Sequence, residues 1–167
     1  GFGTPMPRSP AAFLGSWDAT PWEIATAYSM FPNEGTRFRP YLISEITDRK
    51  GNVLYSSPPL ANPPVAKAGS TWAVSQILTE VTTRGTAASV TRLGFDKPCG
   101  GKTGTTNDFK DAWFSGFTSN LTCTVWVGFD IPKKTLQGGY GATLSLPIWV
   151  DIMKTADRLG YKAGKLN

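Results

Sequence analysis

Hydrophobic positions change period along this chain, and each change marks an element. Thr20-Pro21-Trp22-Glu23 sets a threonine three residues before a glutamate with proline at the first helical place, a capping box, and Ile24, Ala27, Tyr28 and Phe31 then recur at helical spacing until Asn33-Glu34-Gly35 stops the run. These aromatics read as core. Tyr41 to Ile46 and Asn52 to Tyr55 are short strand-like runs around Arg49-Lys50-Gly51, which predicts a hairpin projecting from the body and running into a linker with Pro58-Pro59 and Pro63-Pro64. A helix is predicted from Ser70, with Ile77, Leu78 and Val81 on one face, and another over Ser145 to Leu159, with Ile148, Trp149, Ile152, Met153 and Ala156 inward and Gly160 closing it. Between these helices, Asp111 to Phe117 and Leu121 to Asp130 are aromatic and β-branched runs separated by Ser119-Asn120, so they pair as an antiparallel hairpin. A strand starting near Gly100 extends that hairpin to a three-stranded meander. The predicted class is α+β: an antiparallel three-stranded piece flanked by helices, with the last helix packed on one sheet face.

Composition narrows the chemistry more than the fold. The 167 residues allow one domain, and 18 glycines and 13 prolines with 17% charged residues point to a loop-rich fold rather than a helical bundle. There is no histidine, which excludes a Ser-His-Asp triad and removes the commonest metal ligand, so hydrolytic or acyl-transfer chemistry has to use lysine as its base. Two cysteines cannot make a zinc site. In the meander Cys99 and Cys123 lie with a strand between them, about 9.5 Å apart and beyond the reach of a disulfide, so two free thiols are expected. The net charge of +5 comes from scattered Lys and Arg with no basic stripe, which argues against nucleic-acid binding and fits an anionic substrate or an envelope surface. No signal peptide, membrane-spanning run or internal repeat stands out, and the opening Gly1-Phe2-Gly3 suggests an excised piece.

The chemistry concentrates in Gly100-Gly101-Lys102-Thr103-Gly104-Thr105-Thr106-Asn107, which sets one ammonium and three hydroxyls beside glycines on an exposed strand. Lysine supplies a compact cation, the threonines supply neutral donors, and Gly104 lets another backbone come close, which together suit capture of a carboxylate. A phosphate loop would need glycine at position 96, where Asp96 stands, and a helix opening at Lys102, which Gly104, Asn107 and Asp108 oppose. The plain alternative is a polar strand end with a solvated lysine.

Context decides between them. Leu14-Gly15-Ser16, Ala19 to Ala25 with Ala27-Tyr28, Arg84-Gly85-Thr86-Ala87, Gly101 to Asp108, Asp111 to Gly116, Val125-Trp126-Val127-Gly128, Gly138-Gly139 and Pro147-Ile148-Trp149 form an ordered set spanning Leu14 to Leu159. In these segments the chain resembles the C-terminal half of the transpeptidase domain of class A penicillin-binding proteins, more than the class B enzymes. The resemblance implies that residues 1–167 are the C-terminal fragment of a single transpeptidase domain. It also implies that the three strands belong to a five-stranded penicillin-recognising sheet completed by the domain's N-terminal half. The implied activity is peptidoglycan D,D-transpeptidation, in which a serine attacks the bond between two terminal D-alanines of a stem peptide, without metal or other cofactor. By the same resemblance Lys102 and Thr105 are catalytic, and Lys102, Thr103, Gly104 and Thr105 bind the stem-peptide carboxylate or a β-lactam. Lys102 would hold the carboxylate and tune the proton relay, Thr103 and Thr105 would donate hydroxyls, and the Thr105 N–H would stabilise the oxyanion. The implied location is the extracytoplasmic face of the bacterial cytoplasmic membrane, with the parent anchored by an N-terminal segment.

Two motifs of that family, Ser-x-x-Lys and Ser-x-Asn, do not occur here. Ser89-Val90-Thr91-Arg92 ends in arginine, which is no base at neutral pH, and Thr47-Asp48-Arg49-Lys50 sits in the expected turn. The isolated chain is therefore expected to be inactive, to need the remaining half, and to expose a hydrophobic face that permits self-association. A non-catalytic cell-wall-binding or protein-interaction module on the same scaffold is the alternative. Strand alternation adds a constraint: Thr103 and Thr105 should share one face, with Lys102, Gly104 and Thr106 on the other, so Lys102 has to reach around the strand edge on its flexible stem.

Overall fold

The computed structural model describes residues 3–58 and 64–166. Of the linker expected around Pro58-Pro59 and Pro63-Pro64, Pro59 and Pro63 lie outside the described residues. Helix α1 runs Pro21–Tyr28, strand β1 Glu45–Thr47, β2 Val53–Ser56, helix α2 Ala68–Thr83, strands β3 Gly100–Thr105, β4 Ala112–Phe117 and β5 Thr122–Val127, and helix α3 Gly141–Arg158. Short 3-10 turns cover Pro10–Leu14 and Ala88–Val90. The class is α+β as expected: β3-β4-β5 form an antiparallel meander and β1-β2 a separate hairpin.

The core forms where α3 crosses the meander. Trp149, fully buried, meets Phe114 at 5.1 Å and Phe95 at 5.7 Å edge to face, and its indole N–H donates to the Cys123 carbonyl. Leu146, Val150, Met153, Val125, Val90, Ala87 and Cys99 complete this cluster. Approach this close needs a sheet surface without side chains. A Cβ on Gly101 would fall 2.6 Å from the Ser115 carbonyl oxygen and 2.7 Å from the Phe114 ring, and one on Gly116 would fall 2.9 Å from the Trp149 ring. On the opposite face Phe31 stacks on Phe117 at 5.6 Å.

Several boundaries differ from the sequence expectation. α1 has the capping box, with Thr20 and Glu23 each bonding the other's backbone N–H, but it stops at Tyr28. Beyond it the N–H groups of Met30 and Phe31 bond three residues back, a tightening that ends the helix and leaves Phe31 in the following turns. Trp22, expected in the core, is 49% exposed. α2 begins at Ala68 and buries Thr71, Ser75, Leu78 and Thr82, so its packed face is mostly small and hydroxylated, while Ile77 is exposed. Small residues let α2 lie close against β3, and the Thr82 hydroxyl donates to the Cys99 carbonyl across that contact. α3 begins four residues before Ser145 because Gly141 fits where a Cβ would lie 2.2 Å from the Trp113 carbonyl oxygen. Ile148 and Ile152 of α3 are half exposed rather than inward.

The hairpin projects as predicted. Its strands are exposed throughout, although pairing is confined to Glu45–Thr47 and Val53–Ser56 rather than beginning at Tyr41. Asp48 organises the turn by accepting from the backbone of Lys50 and Asn52 and from the Asn52 side chain, and these bonds hold its carboxyl below the ordinary value. Among the described residues no helix is long and apolar enough to cross a membrane. In the three-stranded sheet β3 and β5 are the outer strands, and beside β5 a groove of about 670 Å³ is lined by Leu121, Cys123, Ile148, Ile152, Leu159 and Tyr161.

Trp149→Ala should cost about 3–5 kcal/mol, read as a lower midpoint in chemical denaturation, because it empties the centre of the packed cluster. Gly101→Ala should also destabilise, since the Cβ meets backbone on β4 that cannot move away without breaking the strand pair. Cys99 and Cys123 are free thiols, and burial pushes both up to about 11 from an ordinary value of 9.0. A thiol harder to ionise when folded contributes stability that is whole below pH 9 and is lost as pH rises toward 11. Thermal midpoints should fall across that window, and fall less in the Cys99→Ala/Cys123→Ala double variant.

Candidate functional site

β3 is held in place by the elements on both sides of it. α2 fixes its start through the Thr82 hydroxyl on the Cys99 carbonyl, and α3 fixes its end, where the Gly141 N–H donates to the Thr105 hydroxyl oxygen at 3.1 Å. The register pairs Lys102 with Ser115, Thr103 with Phe114, Gly104 with Trp113 and Thr105 with Ala112. Opposed residues share a face, so Thr103 and Thr105 lie on the face that α3 covers, with Lys102 and Gly104 on the other. A Cβ on Gly104 would come within 3.2 Å of the Trp113 Cβ, tighter than ordinary contact.

The hydrogen-bond phase of the ladder sets what the open edge offers. Thr106 N–H donates to the Asp111 carbonyl, so the pairs that exchange bonds are Gly104 with Trp113 and Lys102 with Ser115. The amides and carbonyls of Thr103 and Thr105 then turn outward. Lys102 is exposed, and its ammonium bends back to the Thr103 carbonyl at 2.8 Å, which brings it to that outer edge from the opposite face. The Thr103 hydroxyl lies 2.7 Å from the Thr86 hydroxyl. A cation, an outward N–H and two hydroxyls thus line one stretch of open strand, an arrangement that can accept an extended chain with a terminal carboxylate.

Beyond β3 the connection to β4 is firmly held. The Thr106 hydroxyl accepts from the N–H groups of Lys110 and Asp111, Phe109 takes a positive φ of 55°, and its carbonyl accepts from both the N–H and the hydroxyl of Thr135. The Phe109 ring meets Tyr140 edge to face at 5.1 Å. Asp111 accepts from the Trp126 indole at 2.9 Å.

The other sequence candidates do not join this site. Thr47 lies on the projecting hairpin, and Ser89 is half-buried in the 3-10 turn before Thr91 and exposed Arg92. Two positions that sequence reasoning passed over as site residues, Thr86 and Gly141, supply hydrogen bonds to the two threonines. Thr86 had appeared only as part of the Arg84-Gly85-Thr86-Ala87 segment, and Gly141 carried no local signal, because its role depends on α3 arriving at β3 from 36 residues away.

Known proteins similar to this chain in sequence and in shape point to one family. The model of the family described as the penicillin binding protein transpeptidase domain matches residues 8–154. Penicillin-binding protein 1A of Neisseria gonorrhoeae is 40% identical over 164 residues, covering 96% of this chain and 20% of the relative. Its namesake in Aquifex aeolicus strain VF5 is 38% identical over 146 residues, covering 87% and 20%. The crystal structure of penicillin-binding protein 1A from Haemophilus influenzae superposes with a TM-score of 0.85 at 29% identity, over 95% of this chain and 29% of that one. PonA1 of Mycobacterium tuberculosis in complex with penicillin V gives 0.79 at 25% identity, over 96% and 44%. The chain spans about a fifth of the length of the curated relatives it matches. With the Lys-Thr-Gly strand, the whole meander and most of α3 inside the matched span, the chain belongs to the penicillin-binding protein transpeptidase domain family.

Proposed function

We propose that this chain is the C-terminal part of a single transpeptidase domain of a class A penicillin-binding protein, which cross-links peptidoglycan stem peptides by serine acyl transfer. The observation that carries the reading is the open edge of β3, where the Lys102 ammonium, the outward backbone of Thr103 and Thr105, and both threonine hydroxyls line one stretch. A serine from the remaining N-terminal half attacks the carbonyl between the two terminal D-alanines. The C–N bond breaks, the leaving D-alanine takes a proton on its amine, and an amine of a neighbouring stem then displaces the serine from the acyl group. Lys102 swings from the Thr103 carbonyl to the terminal carboxylate of the donor stem, with Thr103 and Thr105 donating beside it and Gly104 giving the extended stem room. The Thr105 N–H is one of two donors to the oxyanion, an effect worth about 3 kcal/mol per donor. β-Lactams, with a carboxylate placed like that of the stem, occupy the same groups.

The apolar groove beside β5 supports a division of the domain in which the N-terminal half supplies the missing strands and covers Ile148, Ile152 and Leu159. Without it, self-association is the alternative route to bury that face. The work site is the extracytoplasmic face of the cytoplasmic membrane, where the stem peptides are, with the parent anchored outside this chain. A non-catalytic module is the second reading, favoured by the lack of Ser-x-x-Lys and Ser-x-Asn in these residues.

The chain alone should give no covalent adduct in intact-mass spectrometry after incubation with excess β-lactam; a stoichiometric adduct on any of its serines would overturn the assignment of the nucleophile to the other half. In the enzyme that carries that serine, Lys102→Ala should slow acylation about a hundredfold or more, by removing the cation opposite a partly dehydrated carboxylate. Lys102→Arg should also be slow, because a planar guanidinium cannot occupy the ammonium's place. Stopped-flow acylation close to wild type for both variants would show a merely solvated lysine.

A further inference from the structure

The turn between α2 and the Ala88–Val90 segment brings one hydroxyl to the candidate site from outside β3. Thr86 Oγ1 lies 2.7 Å from Thr103 Oγ1, and no other described hydrogen bond joins Thr86 or Thr103 through its side chain to a further group. Thr86 is exposed, yet the backbone carrying it is fixed on both sides. Gly85 sits so tightly on α2 that a Cβ would fall 2.7 Å from the Val81 Cα, and Ala87, fully buried, donates its N–H to the Val81 carbonyl. The next turn is closed by Ala88 N–H on Gly85 and Val90 N–H on Ala87. An exposed side chain on so constrained a turn, aimed at one strand hydroxyl, has a role to be explained.

We propose that Thr86 is a positioning residue that sets the direction of the Thr103 hydroxyl and so makes β3 selective for an anionic carboxylate; this rests on the reading of the β3 edge as the carboxylate site. A hydroxyl has one hydrogen to donate and two lone pairs to accept. When Thr86 donates to Thr103, the Thr103 hydrogen is free for a ligand and is strengthened as a donor by the bond it receives. When Thr103 donates to Thr86, only lone pairs face the ligand, and a carboxylate is repelled. An arriving anion selects the first arrangement, whereas a neutral ester gains less from it. The bond also holds Thr103 in one rotamer on a strand where threonine otherwise has a choice. Thr105 has a counterpart in the Gly141 N–H, which leaves its own hydrogen free in the same way.

The test is acylation of the full-length enzyme by a penicillin and by its methyl ester, in wild type, Thr86→Val, Thr86→Ser, Thr103→Val and the Thr86→Val/Thr103→Val pair. Thr86→Val should slow acylation by the acid on the order of tenfold, as expected for a hydrogen bond acting on a charged group, and change the ester far less. Thr86→Ser should keep both rates, and the double variant should be no slower than Thr103→Val alone. Equal slowing with acid and ester, additive losses in the double variant, or an unchanged acid rate in Thr86→Val would each overturn the proposal. An impaired Thr103→Val beside an unimpaired Thr86→Val overturns this inference alone. A Thr103→Val enzyme that acylates normally overturns it together with the carboxylate reading.

Discussion

The closeness of α3 to the meander governs the rest of this structure. Trp149 can come this close to the sheet because Gly116 leaves bare backbone beneath its ring, the Phe114 ring can do so because Gly101 puts no side chain in its way, and the helix can begin at Gly141 because no Cβ separates it from β3 and β4. Close packing of this kind is unforgiving, since each atom added to the interface has to displace backbone rather than a flexible side chain. It also has a directional result. With α3 on one face and Phe31 stacked on Phe117 at the end of β4 on the other, the outward groups that β3 can offer a ligand lie along its edge.

That edge differs from a strand with alternating faces in the ordinary sense. Alternation puts Lys102 opposite Thr103 and Thr105, yet the ladder phase turns the main chain of both threonines outward, and the lysine stem is long enough to fold over the strand to reach it. Polar groups from both faces therefore converge on a line. The two threonine hydroxyls are each held by a group from another element, Thr86 from the α2 side and Gly141 from α3, so the geometry of a five-residue stretch is set by residues far from it in sequence.

Much of this was legible in the chain. The capping box at Thr20, the meander from Gly100 to Val127, the projecting hairpin and the class followed from period and turn chemistry, because those signals are local. The misreadings have a common cause in long-range packing. α2 was read by its hydrophobic residues, but the face it buries carries Thr71, Ser75 and Thr82, chosen for size where the helix meets β3. Ile77, Ile148 and Ile152 are apolar and recur at helical spacing, yet they lie at the surface of the described residues. Of the candidate site, the triplet and its faces could be read from the sequence, while the hydroxyl partners could not, since Thr86 and Gly141 look ordinary until α2 and α3 are docked.

The two buried thiols have a consequence for how the fold meets oxidants. Burial pushes each up to about 11, so little of either is thiolate at neutral pH, and the thiolate is the species that attacks disulfides and peroxides. Cys99 lies just before β3 and Cys123 on β5, with β4 between them, so they have no route to each other. Packing in the cluster around Trp149 thus keeps both thiols poorly ionised, and a loosening of α3 would make them better nucleophiles.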